Sequence, residues 1–258
     1  MLSGELVILY LNYLNIYLTH EKKKKETIIA LLTGRGGSKL RDKNILKING
    51  IPCMQYPCRE AKKIKIIDDF YVSSDDKNIL NLGSRLGFKK IVRPKKLSQS
   101  NTLHISVLKH SLKILKEKHN VNPDILVVLL ANAPIIKSAW IKRCIEIIKK
   151  DKDITAAVPV VQNNDHHPIR AKKIKQGVLR EFVKLNSKIS SNRQDLEKNY
   201  FLCHNFWVVR TKSILKNDGH PPWNFMGKKV KPYEIDNSID IHSIEDIILA
   251  KYLLKKML

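Results

Sequence analysis

A chain of 258 residues, 43% of them apolar, is long enough to bury one sizeable core with a small appendage. Its formal net charge of +24 points to an anionic partner: a nucleotide, a nucleic acid or a membrane surface. Lysines recur on every predicted helix instead of forming one dense arm. Most of the excess is therefore read as solvated helix face, and no recognition-helix or RNA-binding signature supports a nucleic-acid partner. The four cysteines, Cys53, Cys58, Cys144 and Cys203, form no Cys-x-x-Cys pair. That excludes zinc-knuckle and redox motifs and fits reduced thiols in a cytoplasmic protein.

Residues 1–18 are rich in Leu, Ile and Tyr but lack the basic start and the small-residue cleavage site of a signal peptide. Gly4, Glu5, Asn12 and Asn15 interrupt the run too often for a membrane span. Followed by Lys22 to Lys25, the stretch 1–26 reads as an extension outside the fold, with a peripheral amphipathic anchor as the alternative.

Ile28, Ile29, Ala30, Leu31 and Leu32 read as a buried strand. It breaks into the loop Gly34-Arg35-Gly36-Gly37-Ser38-Lys39, with Lys43 and Asn44 close behind. Glycines let backbone N–H groups turn toward an anion and let that anion approach. Arg35, Lys39 and Lys43 add charge beside them. A Walker A loop is excluded because Ser38 precedes Lys39, and a dinucleotide fingerprint because Lys39 stands where a third glycine belongs. A strand ending in such a loop, at the carboxyl edge of an α/β sheet, predicts a triphosphate cradle.

Asn49-Gly50 marks a turn. Pro52 is placed to open a helix to about residue 64, bent or shortened by Pro57. Residues 69–76 read as a second strand. Asp75 or Asp76 caps a helix over 77–86 that Gly87 ends, and 90–94 form a third strand. The polar stretch 98–102 leads into a helix over 103–118, with Ile105, Leu108, Leu112 and Leu115 in helical period. Residues 124–130 are apolar at every position after Asp124, as a strand buried on both faces must be. A helix over 138–150 and a strand over 154–160 follow. This alternation means right-handed βαβ units and a mainly parallel sheet covered on both faces, a three-layer Rossmann-like α/β fold over 27–258. Between 162 and 200 the pattern changes to short polar pieces, a strand at 177–182 and a loop at 185–196, read as a small lobe. Residues 201–209 return to the sheet. After 231–234 and a turn, Ser243 with Asp246 opens a last helix to about 256.

The run from Arg35 to Lys39, with Lys43-Asn44, resembles the signature of the acylneuraminate cytidylyltransferases, which make CMP-sialic acids and related CMP-activated sugars. The likeness continues in order. Residues 71–76 resemble the Val-Ser-Thr-Asp segment, and Arg93-Pro94 the pair after the third strand. Residues 165–170 resemble the His-His-Pro segment that opens the dimerisation lobe, and residues 193–196 the Arg-Gln-x-Leu piece. Residues 238–242 resemble Ser-Ile-Asp-Ile-Asp. Ala131-Asn132-Ala133-Pro134 departs from Gln-Pro-Thr-Ser-Pro, Cys203-His204-Asn205 from Asn-Gly-Ala, and His242 stands where the family has Asp.

The resemblance implies attack by the anomeric hydroxyl of a nonulosonic acid on the α-phosphorus of CTP, with pyrophosphate leaving. Gly34, Arg35, Gly36, Gly37, Ser38 and Lys39 would hold the phosphates, and Asn44 would lie beside the nucleotide. Lys43 would stabilise the leaving pyrophosphate. Arg93 would reach the cytidine, with His104 near the base. Asn132 stands in for the missing sugar-side glutamine, and Arg193 would pair with the sugar carboxylate. Asp240 is the expected Mg²⁺ ligand. His242 is a poorer one that would tolerate Mn²⁺, bind through water or accept a proton. A homodimer built on the 162–200 lobe follows from the same resemblance. The alternatives are a 3-deoxy-manno-octulosonate cytidylyltransferase, whose cradle lacks the Gly-Gly-Ser-Lys run, and a catalytically silent nucleotide-binding relative.

Overall fold

The computed structural model describes residues 25–37, 40–184 and 190–257. The expected extension before residue 25, and Ser38 and Lys39 of the loop, therefore lie outside the described residues. Strand β1 (Ile28–Thr33) is buried at all six positions. Its side chains alternate between two separate apolar layers: Ile28, Ala30 and Leu32 face one, and Ile29 and Leu31 the other. β6 (Ile125–Leu130) does the same, with Val127 and Leu129 on the first side and Leu126 and Val128 on the second. A strand with no solvated face must sit at the centre of a sheet covered twice.

The covering helices follow from their own apolar stripes. α1 (Gln55–Lys62), α2 (Lys77–Arg85) and α4 (Ser138–Lys150) supply Cys58, Ile79 and Cys144 to the first layer. α3 (His104–His119) and the short α5 (Thr211–Lys216) supply Leu108, Leu112 and Ile214 to the second. The α/β three-layer architecture expected from the alternation is present.

The main sheet runs β5 (Lys89–Val92), β4 (Asp69–Ser74), β1, β6, β11 (Phe206–Arg210), β7 (Ala156–Gln162). β12 (Val230–Glu234) pairs with β7 in parallel, and β10 (Tyr200–Leu202) pairs with β7 antiparallel. β1, β4, β5 and β6 are parallel, whereas β11 runs antiparallel to both its neighbours. The sheet is thus mainly parallel, with β10 and β11 reversed.

Local expectations fare unevenly. α4 spans the expected residues at both ends, and Ser243 and Asp246 form a complete capping box ahead of α6 (Ile244–Lys256). Asn49 and Gly50 both have positive φ, 49° and 78°, as a two-residue hairpin between β2 (Lys47–Ile48) and β3 (Ile51–Pro52) requires. Pro52 therefore ends a strand and opens no helix. Pro57 sits in the first turn of α1, where a missing N–H costs nothing, so it does not bend that helix. The strand expected over 201–209 is two strands, interrupted at 203–205. The 162–200 segment carries a hairpin of β8 (Lys172–Lys175) and β9 (Val178–Glu181), exposed on both faces; β8 was not expected.

Asp76 is the N-cap of α2, its Oδ1 accepting from the backbone N–H of Asn78 (2.7 Å) and Ile79 (3.1 Å). Replacing it with alanine strands those donors. Asp76→Ala is expected to cost about 1 kcal/mol, read as a lower urea midpoint at unchanged slope, with Asp76→Asn close to wild type.

Candidate active site

Every parallel strand near the centre releases its chain at the same edge of the sheet, and a cleft of about 740 Å³ opens there. It is lined by Gly34 and Arg35 after β1, Lys43 and Asn44 from the same loop, and Arg93 after β5. His104 from the start of α3, Asn132 after β6, and Asp240 and His242 ahead of α6 line it as well. A larger hollow of about 880 Å³ beside α1 holds none of these groups and is lined mainly by apolar side chains and surface cations.

The glycine loop is held at close quarters. A Cβ on Gly34 would lie 2.9 Å from the Ala131 Cβ, so no larger residue fits there. Gly37 has φ +64°, a conformation that favours glycine. Asn44 is buried and staples the loop. Its Nδ2 donates to the Arg35 carbonyl (2.9 Å), and its own carbonyl accepts from the Met54 N–H (2.8 Å). The Gly36 N–H donates to Asp75 Oδ1 at 3.1 Å, so a carboxylate occupies one donor of the expected anion cradle. Gly36 and Gly37 line a crevice beside the cleft, with Asp76 and Ile79.

Lys43 is half-buried, its Nζ 3.3 Å from His242 Nδ1. Burial lowers its pKa; Asp240 works against that and Arg35 works with it. The other ring nitrogen of His242 meets Asp240 Oδ2 at 2.5 Å. The three groups form one chain from the loop after β1 to the turn before α6. That turn is fixed from two sides: the His242 N–H donates to Asp246 Oδ2 (2.8 Å), and the Ile241 N–H donates to the Asn132 carbonyl (2.8 Å). Asn132 Nδ2 also reaches the Ile241 carbonyl (3.4 Å). The side chain expected to touch a sugar is therefore engaged in holding the Asp240–His242 turn.

Arg93 is buried against the end of β4, donating from Nη2 to the Ser73 carbonyl (2.7 Å) and from Nε to Ser73 Oγ (3.3 Å). Burial brings its pKa down to about 10, with Asp75 opposing and Arg35 adding to the shift. His104 packs nearly edge-on to Trp207 (5.1 Å) on the cleft floor, its Nε2 3.4 Å from Thr33 Oγ1. Burial, then Arg93 and His204, lower its pKa to about 4.

Arg193 does not reach this cleft. It is exposed and pairs with Asp165 (3.0 Å), which ties together the two ends of the small lobe. Sequence reasoning also missed Thr33, Gln99, Ser100, Thr102 and His204, all on the cleft wall. Residues 98–102 read as a polar linker because nothing local distinguishes a linker from a binding loop. His204 carried a signal, since it departs from the resemblance.

Among the described residues, Asp240 is the one carboxylate lining the cleft, and no group of three His, Cys, Asp or Glu side chains could hold a metal alone. That donor set fits Mg²⁺, which takes one or two carboxylates and completes its shell with phosphate oxygens and water.

A cationic, glycine-floored cleft at the carboxyl edge of a doubly covered parallel sheet defines a nucleotide-handling α/β protein. The sequence pattern of the cytidylyltransferase family matches residues 29–257, and the chain belongs to that family of nucleotidyltransferases. It is 27% identical over 239 residues to post-translational flagellin modification protein B of Campylobacter coli, covering 89% of this chain and 98% of that one. It is 26% identical over 243 residues to the pseudaminic acid cytidylyltransferase of Campylobacter jejuni serotype O:2, covering 88% and 96%. In fold it is similar to a CMP:2-keto-3-deoxy-manno-octonic acid synthetase complexed with CTP, at a TM-score of 0.64 and 15% identity, covering 90% of this chain and 100% of that one. No helix among the described residues is long and apolar enough to cross a membrane.

The pKa of His104 has a stability consequence. The folded state holds it neutral down to about pH 4, while the unfolded chain takes up that proton near its ordinary value of about 6.5. Stability is therefore lost as pH falls from about 6.5 to about 4, by up to about 3 kcal/mol from this group. Urea denaturation across that range should show the decline, and His104→Gln should flatten it.

Proposed function

We propose that the chain transfers CMP from CTP to the anomeric hydroxyl of a sialic-acid-like nonulosonic acid, releasing pyrophosphate. The observation that carries the reading is the convergence of Arg35, Lys43, Asn44, Arg93, Asp240 and His242 in one cleft, in a chain of the cytidylyltransferase family. Relatives named for pseudaminic, N-acylneuraminic and diacetyllegionaminic acids support the acceptor class.

In this reading the triphosphate lies over the glycine loop, displacing the Asp75 carboxylate from the Gly36 N–H. Arg35 and Lys43 neutralise charge that builds on the leaving pyrophosphate, where preorganised cations in a partly dried cleft act strongly. Arg93, whose Nη2 and Nε are already oriented by Ser73, presents the rest of its fork toward the cytidine. His104, kept neutral, faces the base. Ser38 and Lys39 belong with the phosphates. Asp240, with His242 as the poorer donor, would hold Mg²⁺ or Mn²⁺; bound there, the cation polarises phosphoryl oxygens and offsets their charge. His242 would bind the cation through water or serve instead as a proton acceptor.

The proposal includes a homodimer and a cytoplasmic setting. The β8–β9 hairpin supports the first: Ile174, Leu179 and Phe182 are 76%, 66% and 63% exposed, and an isolated two-stranded ribbon is marginal in water. The four cysteines, all free and buried, support the second.

The test is pyrophosphate release with CTP, Mg²⁺ or Mn²⁺ and a panel of N-acetylneuraminate, legionaminate, pseudaminate and 3-deoxy-manno-octulosonate. Release with one nonulosonic acid and CTP, but not ATP or GTP, is expected. Release with the octulosonate alone makes the chain an enzyme of that sugar, and CTP binding without release makes it a silent relative. Lys43→Ala should lower kcat by about 10²–10³-fold while changing CTP affinity little. Arg93→Ala should weaken CTP binding; unchanged affinity would remove Arg93 from the cytidine.

A further inference from the structure

β10 and β11 are one returning strand broken at Cys203-His204-Asn205. Both outer residues of the break are buried and tied down. The Cys203 N–H donates to the Pro159 carbonyl (2.9 Å). Asn205 donates from Nδ2 to the Ile135 carbonyl (3.1 Å), and its own carbonyl accepts from the Leu130 N–H (3.2 Å). Held on both sides, the break turns its middle residue out, and His204 forms part of the cleft wall.

The His204 ring lies nearly perpendicular to Trp207 (5.8 Å) and Trp223 (5.6 Å). The Trp207 indole N–H donates to the Cys203 carbonyl (2.9 Å), so the same indole packs the imidazole and fixes the backbone that carries it. These contacts hold the ring without using its nitrogens, which make no hydrogen bond among the described residues. A core histidine would be buried together with its aromatic neighbours. Here Trp207 is 2% exposed, while His204 remains only half-buried and faces the cleft. Burial also lowers its pKa, against the pull of Asp240, which favours a neutral ring with one donor and one acceptor nitrogen.

The sheet order locates this ring. Arg93 follows β5 at one end of the cleft, the glycine loop follows β1 in the middle, and the β10–β11 break lies beyond β6 at the other end. His104 packs against the same Trp207 indole (5.1 Å) on the side of Arg93, so with the base over His104 and the phosphates over the loop, the face of His204 toward Asp240 is left for the acceptor. We propose that His204 is a specificity-determining residue that reads a hydroxyl or N-acyl group of the sugar acid by hydrogen bonding, its ring held in place by Trp207 and Trp223. This rests on the function proposed above.

The experiment uses the full chain and its best sugar acid from the panel. His204→Phe keeps the aromatic packing and removes the polar edge; His204→Gln restores a donor and an acceptor. Initial rates of pyrophosphate release are measured with each substrate varied in turn. His204→Phe should raise the KM for the sugar acid about tenfold or more and leave the KM for CTP within about twofold. His204→Gln should recover most of the loss. An unchanged sugar KM in His204→Phe overturns the inference and leaves the proposed function standing. A parallel rise in both KM values, or a drop in melting temperature with no recovery in His204→Gln, also overturns it, because His204 would then act only through the Trp207 packing. A wild-type chain that binds CTP but turns over no nonulosonic acid overturns both.

Discussion

The burial of β1 and β6 on both faces is the constraint on which the other features rest. Neither strand has a polar residue before its carboxyl end, so neither can expose a face to water, and helices must cover both sides. Parallel pairing of β4, β1 and β6 in register then forces Ser73, Thr33 and Leu130 to one edge, where the covering helices stop and the backbone is free to turn. The cleft lies at that edge because of the sheet, and the loops that line it inherit their positions from strands that could not be placed otherwise. A loop such as 34–44 can then afford a conformation unsuited to most side chains, because β1 anchors one end and Asn44 staples the other.

Charge is arranged differently in the cleft than over the rest of the surface. Most of the +24 excess is carried by exposed lysines, where attraction for an anion is screened within about a Debye length. In the cleft, Arg93 and Lys43 are partly withdrawn from water, and burial lowers the pKa of both. Two carboxylates offset this cost. Asp75 stabilises charge on Arg93 and occupies the Gly36 N–H, and Asp240 stabilises charge on Lys43. The same two acids sit at opposite ends of the glycine loop. Asp75 thus holds a backbone donor of the loop, whereas Asp240 meets the loop only through the Lys43 and His242 side chains.

Much of the fold was legible because local and long-range preferences agree in it. α4 has an apolar stripe, a clean start and a charged end, and its expected limits hold. The misreadings fall where tertiary context overrules a local rule. Pro52 is a helix opener by type but ends a hairpin strand, because Asn49 and Gly50 reverse the chain just before it. β8 escaped notice because Lys172-Lys173-Ile174-Lys175 stands clear of the core and carries no alternation to read. The strand expected over 201–209 breaks at the polar pair His204-Asn205, which flanking apolar residues on both sides made easy to read through.

The site divides along the same line. Residues whose role follows from backbone chemistry or formal charge, Gly34, Arg35, Lys43 and Asp240, could be named from spacing and resemblance, and the fold brings them to one cleft. Residues whose role depends on an unforeseen neighbour could not. Asn132 is a polar residue at the right strand end, but Ile241 takes its side chain and its carbonyl. Arg193 carries the right charge, but Asp165 meets it outside the cleft. His204 is the converse: the sequence marks it only as a departure from the resemblance, and its surroundings, two tryptophans and a strand break, are assembled by the folded chain. The glycine-loop end of the cleft is built from main-chain turns and charges. The His204 end is built from side-chain packing, the ring set against Trp207 and Trp223, where a single substitution changes shape without disturbing the sheet.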